Sequence, residues 1–419
     1  MTQSLSPAQV LAQSFSLPNG SIIKNRLAKS AMSEGFGTWE NRVTPGLVRL
    51  YEHWADGGIG LCITGNVMVD RRALGEPGNV VVEDERDMEL LTAWARGGTR
   101  NGTQLWMQIN HPGKQVMRTL VADPVAPSAI PFGKDMQAFF ATPRALTEVE
   151  IEDIIQRFGR TAAIAKKAGF SGVQIHGAHG YLVSQFLSGH HNQRTDRWGG
   201  NPENRRRFVL EIFREMRANC GKNFPIGIKL NSADFQKGGF TEEESLAVIA
   251  ALSEAGIDHI EISGGTYEAP IMAGKKNSFV KDSTRRREAY FLEFAEKARA
   301  AVKTPLMVTG GFRSSAGMAE AITEGAVDFV GVARSLAIEP DLPNRLLAGK
   351  EARYEVKAIS TGIPMVDKMA MMEVMWYSRQ LHRMAKGKKP RPNESGLWSF
   401  LATMAENGWG TFQSRRLRA

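Results

Sequence analysis

The chain has 419 residues, of which 42% are hydrophobic and 23% are charged. A chain of this length and composition buries a large core, which excludes a disordered tail protein and a disulfide-stapled miniprotein. Cys62 and Cys220 are its two cysteines. They are too few for a zinc cage, an iron–sulfur cluster or a disulfide framework, so both are expected to be reduced.

The charge is distributed unevenly along the chain. The formal net charge is +9 at pH 7, and residues 351–419 contribute +6 of it, from twelve Lys or Arg against six Asp or Glu. The remainder is nearly balanced, so no nucleic-acid partner is expected. No apolar run approaches the roughly 18 to 20 residues of a membrane-spanning helix. Because the N-terminus also lacks a secretory signal pattern, we expect a cytoplasmic protein without a membrane partner.

Short β-rich runs alternate with amphipathic helix patterns along most of the chain. The predicted strands are Leu27–Met32, Gly60–Thr64, Gln104–Asn110, Gly172–His176, Pro225–Leu230, His259–Ser263, Leu306–Gly310 and Phe329–Ala333. The clearest predicted helices are Asp153–Ala168, Pro202–Ala218, Glu242–Ala255, Tyr290–Val302 and Ala316–Glu324. The first and last strands begin 302 residues apart, or about 43 residues per unit, which suits one strand, one helix and two loops. Eight such units predict an α/β fold, a (β/α)8 TIM barrel.

An open doubly wound sheet is the alternative for such a pattern, but it binds phosphate near its first strand. In this chain the glycine signals come late, with Gly310 and Gly311 after the seventh strand and Ala333 and Arg334 closing the eighth. In a barrel these two loops commonly form a phosphate site, where backbone N–H groups approach the anion. A plain tight turn is the other interpretation of the paired glycines.

Two segments lie outside the repeating pattern. A Pro-rich excursion, PVAPSAIPFG at 124–133, precedes the fourth strand and is expected to fold over the barrel mouth as a loop or hairpin. After the barrel domain, predicted as residues 1–350, residues 351–419 are predicted to form a C-terminal helical extension with a basic end. Its apolar helical face is expected to pack on the barrel or on a second subunit, and it comprises Met365, Met369, Met372 and Trp376.

Polar residues end nearly every predicted strand, which is where barrel enzymes place their catalytic groups. The residues at the strand ends, most of them polar, are Ser33, Asn66, Gln108, His111, His176, His179, Tyr181, Lys229, Ser263, Gly264, Gly265, Gly310, Gly311, Ala333 and Arg334. Any one of these could be a structural group. Convergence from eight strands on one rim predicts an active site.

The types of residue on this rim indicate the chemistry. His176 and His179 have no nearby carboxylate or cysteine to complete a metal shell, so no metal is expected. Two neutral imidazoles can instead donate two hydrogen bonds to one oxygen and polarise a carbonyl. Tyr181 adds a phenol that stays protonated at neutral pH, as a general acid must. Lys229 is a cation suited to an anionic group, or alternatively a salt-bridge partner of a neighbour such as Asp234.

Several segments together carry a family resemblance. HGAHGYLVSQFLS begins at His176, and NQRTDRWGGNPENRRRF begins at Asn192. KNRLAKSAMS, WMQINHPGKQ, TGGFRS and GVARSL stand at the first, third, seventh and eighth strands. The sequence resembles the Old Yellow Enzyme family of FMN-dependent NAD(P)H:ene-reductases over roughly residues 18 to 347.

The resemblance implies a set of cofactor contacts. The FMN phosphate would lie against Gly311, Ala333 and Arg334, with Gly310 and Asn66 completing the predicted cofactor-binding set. Met32 and Ser33 would contact the isoalloxazine ring, Gln108 its pyrimidine edge, and Lys229 the N1–C2 carbonyl region. Family members often carry Cys or Thr where this chain has Ser33, so thiol redox sensing is not expected.

The resemblance also implies a ping-pong reaction. Hydride passes from NADPH or NADH to FMN, and then to the β-carbon of an activated alkene such as an α,β-unsaturated carbonyl or nitroalkene. His176 and His179 would hold the activating oxygen while Tyr181 protonates the α-carbon. These three residues are the predicted catalytic set.

Alternative functions remain open from the sequence. A close variant is an NADH oxidase or flavin reductase that uses dioxygen or free flavin as acceptor. A flavin-free barrel lyase would use Lys229 as a Schiff-base amine, and a non-catalytic barrel would use its tail for assembly.

Three basic runs have separate interpretations. Arg205–Arg207 open a helix and are expected to hold the preceding RTDRWGG loop by ion pairs, with a contact to the phosphates of the nicotinamide cofactor as the alternative. Arg285–Arg287 could contact those phosphates, and the terminal Arg415, Arg416 and Arg418 could reach a neighbouring subunit in a homo-oligomer.

Overall fold

The computed structural model describes residues 5–265, 291–350, 359–363, 367 and 372–405. Eight parallel strands of its main sheet form the barrel: β1 Leu27–Lys29, β2 Leu61–Met68, β3 Gln104–Asn110, β4 Gly172–Gly177, β5 Ile226–Asn231, β6 His259–Ser263, β7 Leu306–Thr309 and β8 Phe329–Val332. A ninth, two-residue strand, Val80–Val81, pairs in parallel with the end of β2. Strand β1 pairs with both β8 and β2, which closes the sheet into a barrel. The predicted (β/α)8 barrel is confirmed, with every predicted strand in place.

Helices follow the strands in alternation: α1 Pro45–Asp56, α2 Met88–Gly98, α3 Glu148–Ala168, α4 Pro202–Cys220, α5 Glu242–Glu254, α6 Leu292–Ala301, α7 Ser315–Thr323 and α8 Leu342–Leu347. Local sequence sets where they begin. Thr147 and Glu150 form a reciprocal capping box at the start of α3, and Thr241 and Glu244 do the same for α5. Helix α3 ends at Gly169, whose φ of 96° lies in the left-handed region that glycine tolerates.

Large apolar side chains fill the amino-terminal end of the barrel. Trp106 is fully buried there with Leu61, Met307 and Phe329. A Cβ on Gly172 would lie 2.6 Å from Trp106 Nε1, so this position on β4 has no room for a side chain. Burying one tryptophan contributes about 4 to 6 kcal/mol, and the packing fills this end of the barrel with apolar side chains.

A short hairpin seals the same end from outside. Strands Phe15–Ser16 and Ile22–Ile23 pair antiparallel, and their neighbour Leu17 packs with Ile23 into the apolar cluster around Trp106. Closure at this end means that a ligand must enter the barrel from the rim formed by the strands' carboxyl ends.

The Pro-rich excursion has defined structure. Val125–Ala126 pairs in parallel with Arg144–Ala145, and an antiparallel bridge joins Met117 to Phe140. The segment is therefore neither a plain loop nor a simple hairpin. Its expected action as a cover over the barrel mouth stays a prediction.

The C-terminal part contains helix α9, Met372–Ala385, and a second helix over 396–405. Met372 and Trp376 on α9 are buried, as their helical spacing predicts, whereas Met365 and Met369 lie outside the described residues. The division into two domains stays a prediction. Among the residues that the structure describes, no helix is long and apolar enough to cross a bilayer.

Candidate active site

A polar layer lies inside the barrel, directly above the apolar plug. Gln108 Nε2 donates to Gln174 Oε1 over 2.8 Å, and Gln174 Nε2 donates to Glu261 Oε2 over 2.8 Å. Thr309 Oγ1 donates to Glu261 Oε1 over 2.7 Å and contacts Ser30 Oγ at 2.6 Å. Strands β4 and β6 are not neighbours in the sheet, so Gln174 and Glu261 meet within the barrel interior.

Lys229 on β5 belongs to this layer. Its Nζ lies 3.0 Å from Glu261 Oε1, and both side chains are almost fully buried. Asp234, the partner suggested by sequence, instead accepts from Asn231 Nδ2 and from the main-chain N–H of Phe240. The alternative of a salt bridge to a neighbour is therefore present, but the partner of Lys229 is Glu261 and not Asp234. An ammonium paired with a carboxylate is not a nucleophile, which argues against a Schiff-base lyase.

Glu261 is a buried carboxylate. Burial alone would raise its pKa, but Lys229 and the donors Thr309 and Gln174 outweigh burial and hold the pKa below its ordinary value. The barrel interior thus holds a fixed ion pair beneath the rim. Sequence reasoning missed Glu261 because it lies inside a strand run rather than at its end.

The three predicted catalytic residues lie together on the loop that follows β4. The ring centroids of His176 and His179 are 5.3 Å apart, and those of His176 and Tyr181 are 4.7 Å apart. His179 has a left-handed φ of 60°. Its main-chain N–H donates to Asn231 Oδ1, and its Nε2 lies 2.8 Å from Ser263 Oγ. Contacts from β5 and β6 therefore hold this loop in place.

Both histidines are neutral at physiological pH. Burial, together with His179 and Lys229, holds the pKa of His176 well below its ordinary range. Burial and the nearby Lys229 ammonium lower the pKa of His179 to about 3, although Glu261 acts in the opposite direction. A neutral imidazole has one N–H to donate. Lys229 and His176 are register partners on β5 and β4, so the cation lies next to the imidazoles.

Predicted flavin contacts on the first strands also lie side by side. Met32 and Ser33 follow β1, and Asn66 stands on β2 in register with Gln108 on β3. A Cβ on Gly65 would lie 2.6 Å from the carbonyl oxygen of Met32. The close approach brings the loop after β1 against β2, next to Asn66.

A buried polar cluster fixes that contact. Lys29 Nζ donates to the carbonyl of Ile63 over 2.8 Å and lies 3.5 Å from Glu34 Oε1. Tyr51 donates to the Glu34 carboxylate and accepts from the main-chain N–H of Gly65 over 3.0 Å. The cluster joins β1, α1 and β2 at the base of the loop. None of its members was identified from sequence.

A small cavity lies beside the same loop, lined in part by Glu34, Asn66, Glu76 and Asn79. Burial raises the pKa of Glu76 to about 7, although hydrogen bonds from Ser33 and Asn79 oppose the rise. The Glu34 carboxylate adds to it. The Glu76 carboxyl is therefore about half protonated near pH 7, and it is hydrogen-bonded to Ser33.

Helix α9 contacts the loop from the outside. Ser378 Oγ donates to the carbonyl of Ser33 over 3.0 Å, and His382 Nε2 donates to the carbonyl of Glu34 over 3.0 Å. The His382 ring stacks on Phe36 with centroids 4.1 Å apart. The C-terminal part of the chain therefore takes part in shaping the predicted flavin contact, which no sequence motif indicated.

The predicted phosphate corner lies on the adjacent strands β7 and β8. Gly310 and Gly311 follow β7 with φ of 101° and 94°, conformations that disfavour other residues. Ala333 precedes a short 3-10 helix that Arg334 begins. Arg334 Nη1 lies 2.9 Å from Glu373 Oε2 on α9, with the arginine side chain 32% exposed. The predicted phosphate corner thus combines two glycines in left-handed conformations with the partly exposed guanidinium of Arg334.

The rim also holds buried polar atoms that have no partner within the described residues. They are Gln108 Oε1, both amide atoms of Asn110, and His176 Nδ1. Leaving such an atom unpaired costs about 1 to 3 kcal/mol, so a polar ring that supplies donors and acceptors fits this surface. Asn110 was overlooked in the sequence although it stands at the end of β3, between Gln108 and His111.

The basic runs have mixed outcomes. Arg205 pairs with Glu244 on α5, whereas Arg207 Nε donates to the carbonyl of Arg197 over 2.9 Å. Arg207 therefore holds the RTDRWGG loop, but through a carbonyl rather than the predicted ion pair. The other runs lie outside the described residues; they are Arg285–Arg287 and Arg415, Arg416 and Arg418.

A closed parallel barrel with convergent polar groups at its carboxyl rim defines a barrel enzyme. Residues 15–353 match the sequence profile of the NADH:flavin oxidoreductase / NADH oxidase family. The chain belongs to this family, which includes the Old Yellow Enzyme homologues. The protein is therefore a flavin oxidoreductase that uses FMN and NAD(P)H, and the rim just described has the polar groups and the anion corner to hold FMN.

Known proteins agree with this assignment. The chain is 35% identical over 409 residues to the NADH-dependent flavin oxidoreductase iccE of Talaromyces variabilis, covering 90% of this chain and 98% of that protein. It is 33% identical to an NADH oxidase of Thermoanaerobacter brockii, covering 82% of this chain and 51% of the oxidase. The old yellow enzyme homologue of Zymomonas mobilis shares the fold, with a TM-score of 0.71 at 24% identity, covering 83% of this chain and 94% of the homologue.

Proposed function

We propose that this enzyme reduces activated C=C bonds, with NADH as the hydride donor. One observation carries the proposal: two neutral imidazoles and a phenol lie together beside a buried lysine on the carboxyl rim of the barrel. The arrangement suits an acceptor that bears a carbonyl or nitro oxygen and gains a proton on carbon. NADH is favoured because the relative from Talaromyces variabilis is named for it.

The residues that would hold FMN come from six strands or the loops after them. Gly310, Gly311, Ala333 and Arg334 would receive its phosphate, because left-handed glycines expose main-chain N–H groups and the arginine supplies charge. Met32, Ser33, Asn66, Gln108 and Lys229 would contact its ring. When bound, FMN accepts a hydride from the nicotinamide and supplies one to the acceptor.

His176 and His179 would bind the activating oxygen of the substrate. Their lowered pKa values keep both uncharged, so each can donate a hydrogen bond without a cation that must be desolvated. Each well-placed donor of this kind stabilises a developing negative oxygen by about 3 kcal/mol. The two together would favour hydride acceptance at the β-carbon.

Tyr181 would deliver the proton to the α-carbon. It is buried at 6% exposure and lies beside His176. A buried phenol beside the acceptor can transfer its proton directly in the transition state. General acid catalysis of this type accelerates a reaction by about 10²- to 10⁴-fold, so the residue should matter for alkene reduction and little for reduction of the cofactor.

An anaerobic titration tests the donor. The purified protein should be yellow, with an absorption band that bleaches on addition of NADH more readily than on addition of NADPH. Absence of bound or bindable FMN would reject the proposed cofactor site, and equal bleaching by both nucleotides would reject the stated preference.

Steady-state turnover tests the acceptor. Cyclohexenone, maleimide and a nitroalkene should be reduced faster than dioxygen or free flavin under matched conditions. The family includes a protein named as an NADH oxidase, so faster turnover with dioxygen would assign oxidase activity instead. Replacing His176 with Ala should slow alkene reduction, whereas Lys222→Ala, a change on the outer surface after α4, is the matched control.

A further inference from the structure

We propose that Glu261 is a positioning residue for the flavin pyrimidine. It fixes which atom of the Gln108 amide faces the ring, and it offsets the positive charge of Lys229 in the barrel interior. The proposal rests on the proposed FMN site and deepens it. Glu261 is fully buried on β6, and it touches neither His176 nor Tyr181 in any hydrogen bond found among the described residues. Its action must therefore pass through the side chains that it binds.

Both carboxylate oxygens of Glu261 are used. Oε1 accepts from Thr309 Oγ1 at 2.7 Å and pairs with Lys229 Nζ at 3.0 Å. Oε2 accepts from Gln174 Nε2 at 2.8 Å. These partners come from β7, β5 and β4, so one carboxylate connects three of the strands around the barrel.

The Glu261 carboxylate fixes the orientation of the Gln174 side-chain amide, and through it that of the Gln108 amide. An ionised carboxylate only accepts hydrogen bonds, so Gln174 must turn its Nε2 toward Glu261. The Oε1 of Gln174 then faces Gln108, and Gln108 must donate its Nε2 to it, as observed at 2.8 Å. Gln108 Oε1 is left without a partner in the described structure, and it is available to a donor on a bound ligand.

A flavin pyrimidine ring has both kinds of group that this arrangement would meet. Its imide N–H is a donor and suits the free carbonyl oxygen of Gln108. Its C2 carbonyl is an acceptor and suits the Lys229 ammonium. If the Gln174 amide were reversed, the Gln108 amide would also reverse. Gln108 would then present its Nε2–H groups to the flavin imide N–H, and two donors would face each other. The negative charge at Glu261 prevents that reversal.

Glu261 also limits the positive potential that Lys229 exerts. At 3.0 Å in a buried setting, the two opposite charges largely compensate one another at a distance. An uncompensated lysine would stabilise a reduced, anionic cofactor more strongly. The pair therefore sets the reduction potential of the bound cofactor below the value that Lys229 alone would give.

The variant Glu261→Gln tests the charge while keeping the size of the side chain. The two-electron midpoint potential of the bound FMN should rise relative to wild type, since Lys229 loses its counter-ion. Glu261→Asp keeps the charge and should restore most of the wild-type potential. A Glu261→Gln protein that binds FMN at an unchanged or lower potential would overturn the proposal.

The variant Gln174→Met tests the amide chain without changing a charge. FMN should bind about fivefold more weakly, as expected for the loss of one oriented neutral hydrogen bond, while the potential stays close to that of wild type. This variant also decides the matter if Glu261→Gln does not fold. Unchanged FMN affinity in Gln174→Met would contradict the amide chain.

Ser30→Ala is the matched control, because Ser30 reaches Glu261 only through Thr309. Both the potential and the affinity should stay at wild-type values in this variant. A change in potential equal to that of Glu261→Gln would show that any alteration of the polar layer has the same effect, and would reject a specific role for Glu261. A wild-type protein that binds no FMN would instead refute the proposed function.

Discussion

Glu76 makes the folded protein sensitive to pH between mildly acidic and neutral solution. Burial raises the pKa of its carboxyl from the ordinary 4.5 to about 7 in the folded state, whereas the unfolded chain keeps the ordinary value. Between these two values the unfolded chain releases a proton that the folded chain retains, so the free energy of unfolding falls as the pH rises. At 1.36 kcal/mol for each unit of pKa, the total loss is at most about 3 kcal/mol, because Glu76 is partly exposed and solvent screens it.

The variant Glu76→Gln mimics the protonated carboxyl at every pH. At pH 8 it should be more stable than wild type by up to about 3 kcal/mol, and the difference should vanish near pH 4. Urea unfolding followed by tryptophan fluorescence at a fixed, saturating FMN concentration measures the effect. Glu254→Gln, which alters an exposed residue at the end of α5, is the control and should keep the wild-type pH profile. A stabilisation of equal size at pH 4 and pH 8 would refute the reasoning, since it could not come from ionisation.

Three further outcomes are expected. Tyr181→Phe should lower the rate of cofactor reoxidation by an alkene by about 10²-fold or more and leave reduction by NADH unchanged, and stopped-flow absorbance distinguishes the two steps. Gly172→Ala places a methyl group 2.6 Å from the Trp106 indole and should destabilise the fold by about 1 to 3 kcal/mol in urea unfolding. Gly46→Ala, whose added Cβ would be 3.6 Å from its nearest neighbour, should not. Glu373→Gln removes the ion-pair partner of the arginine after β8 and should tighten FMN binding by about threefold in a fluorescence titration; weaker binding would show that the carboxylate orients that arginine.

Most of the barrel could be predicted because its signals are local. Each strand is a short apolar run bounded by turn residues, and each long helix carries its own periodicity and cap. The strand predicted at Gly172–His176 differs from the observed one by a single residue. Two of the helices that were not identified, Pro45–Asp56 and Met88–Gly98, are preceded by long loops, where the regular spacing of the units is interrupted.

The same distinction between local and long-range signals explains which residues of the candidate site could be predicted. His176 and Tyr181 were found because residues at strand ends share one rim in any barrel. Glu261 was not found, because a carboxylate within an apolar strand run has no signal of its own until the barrel closes and places Lys229 beside it. Glu373 and His382 were missed for a related reason. Their contacts join segments that are distant in sequence, and no spacing rule connects such segments.

The contact between α9 and the loop after β1 has a consequence for the order in which the protein matures. The hydrogen bond from Ser378 to the carbonyl of Ser33 spans 345 residues of sequence. On the ribosome, that carbonyl lacks its partner until residue 378 has been translated. The loop proposed to contact the isoalloxazine ring therefore gains this hydrogen bond late, and we expect nascent chains that stop before residue 372 to bind FMN poorly even though the eight barrel strands are present.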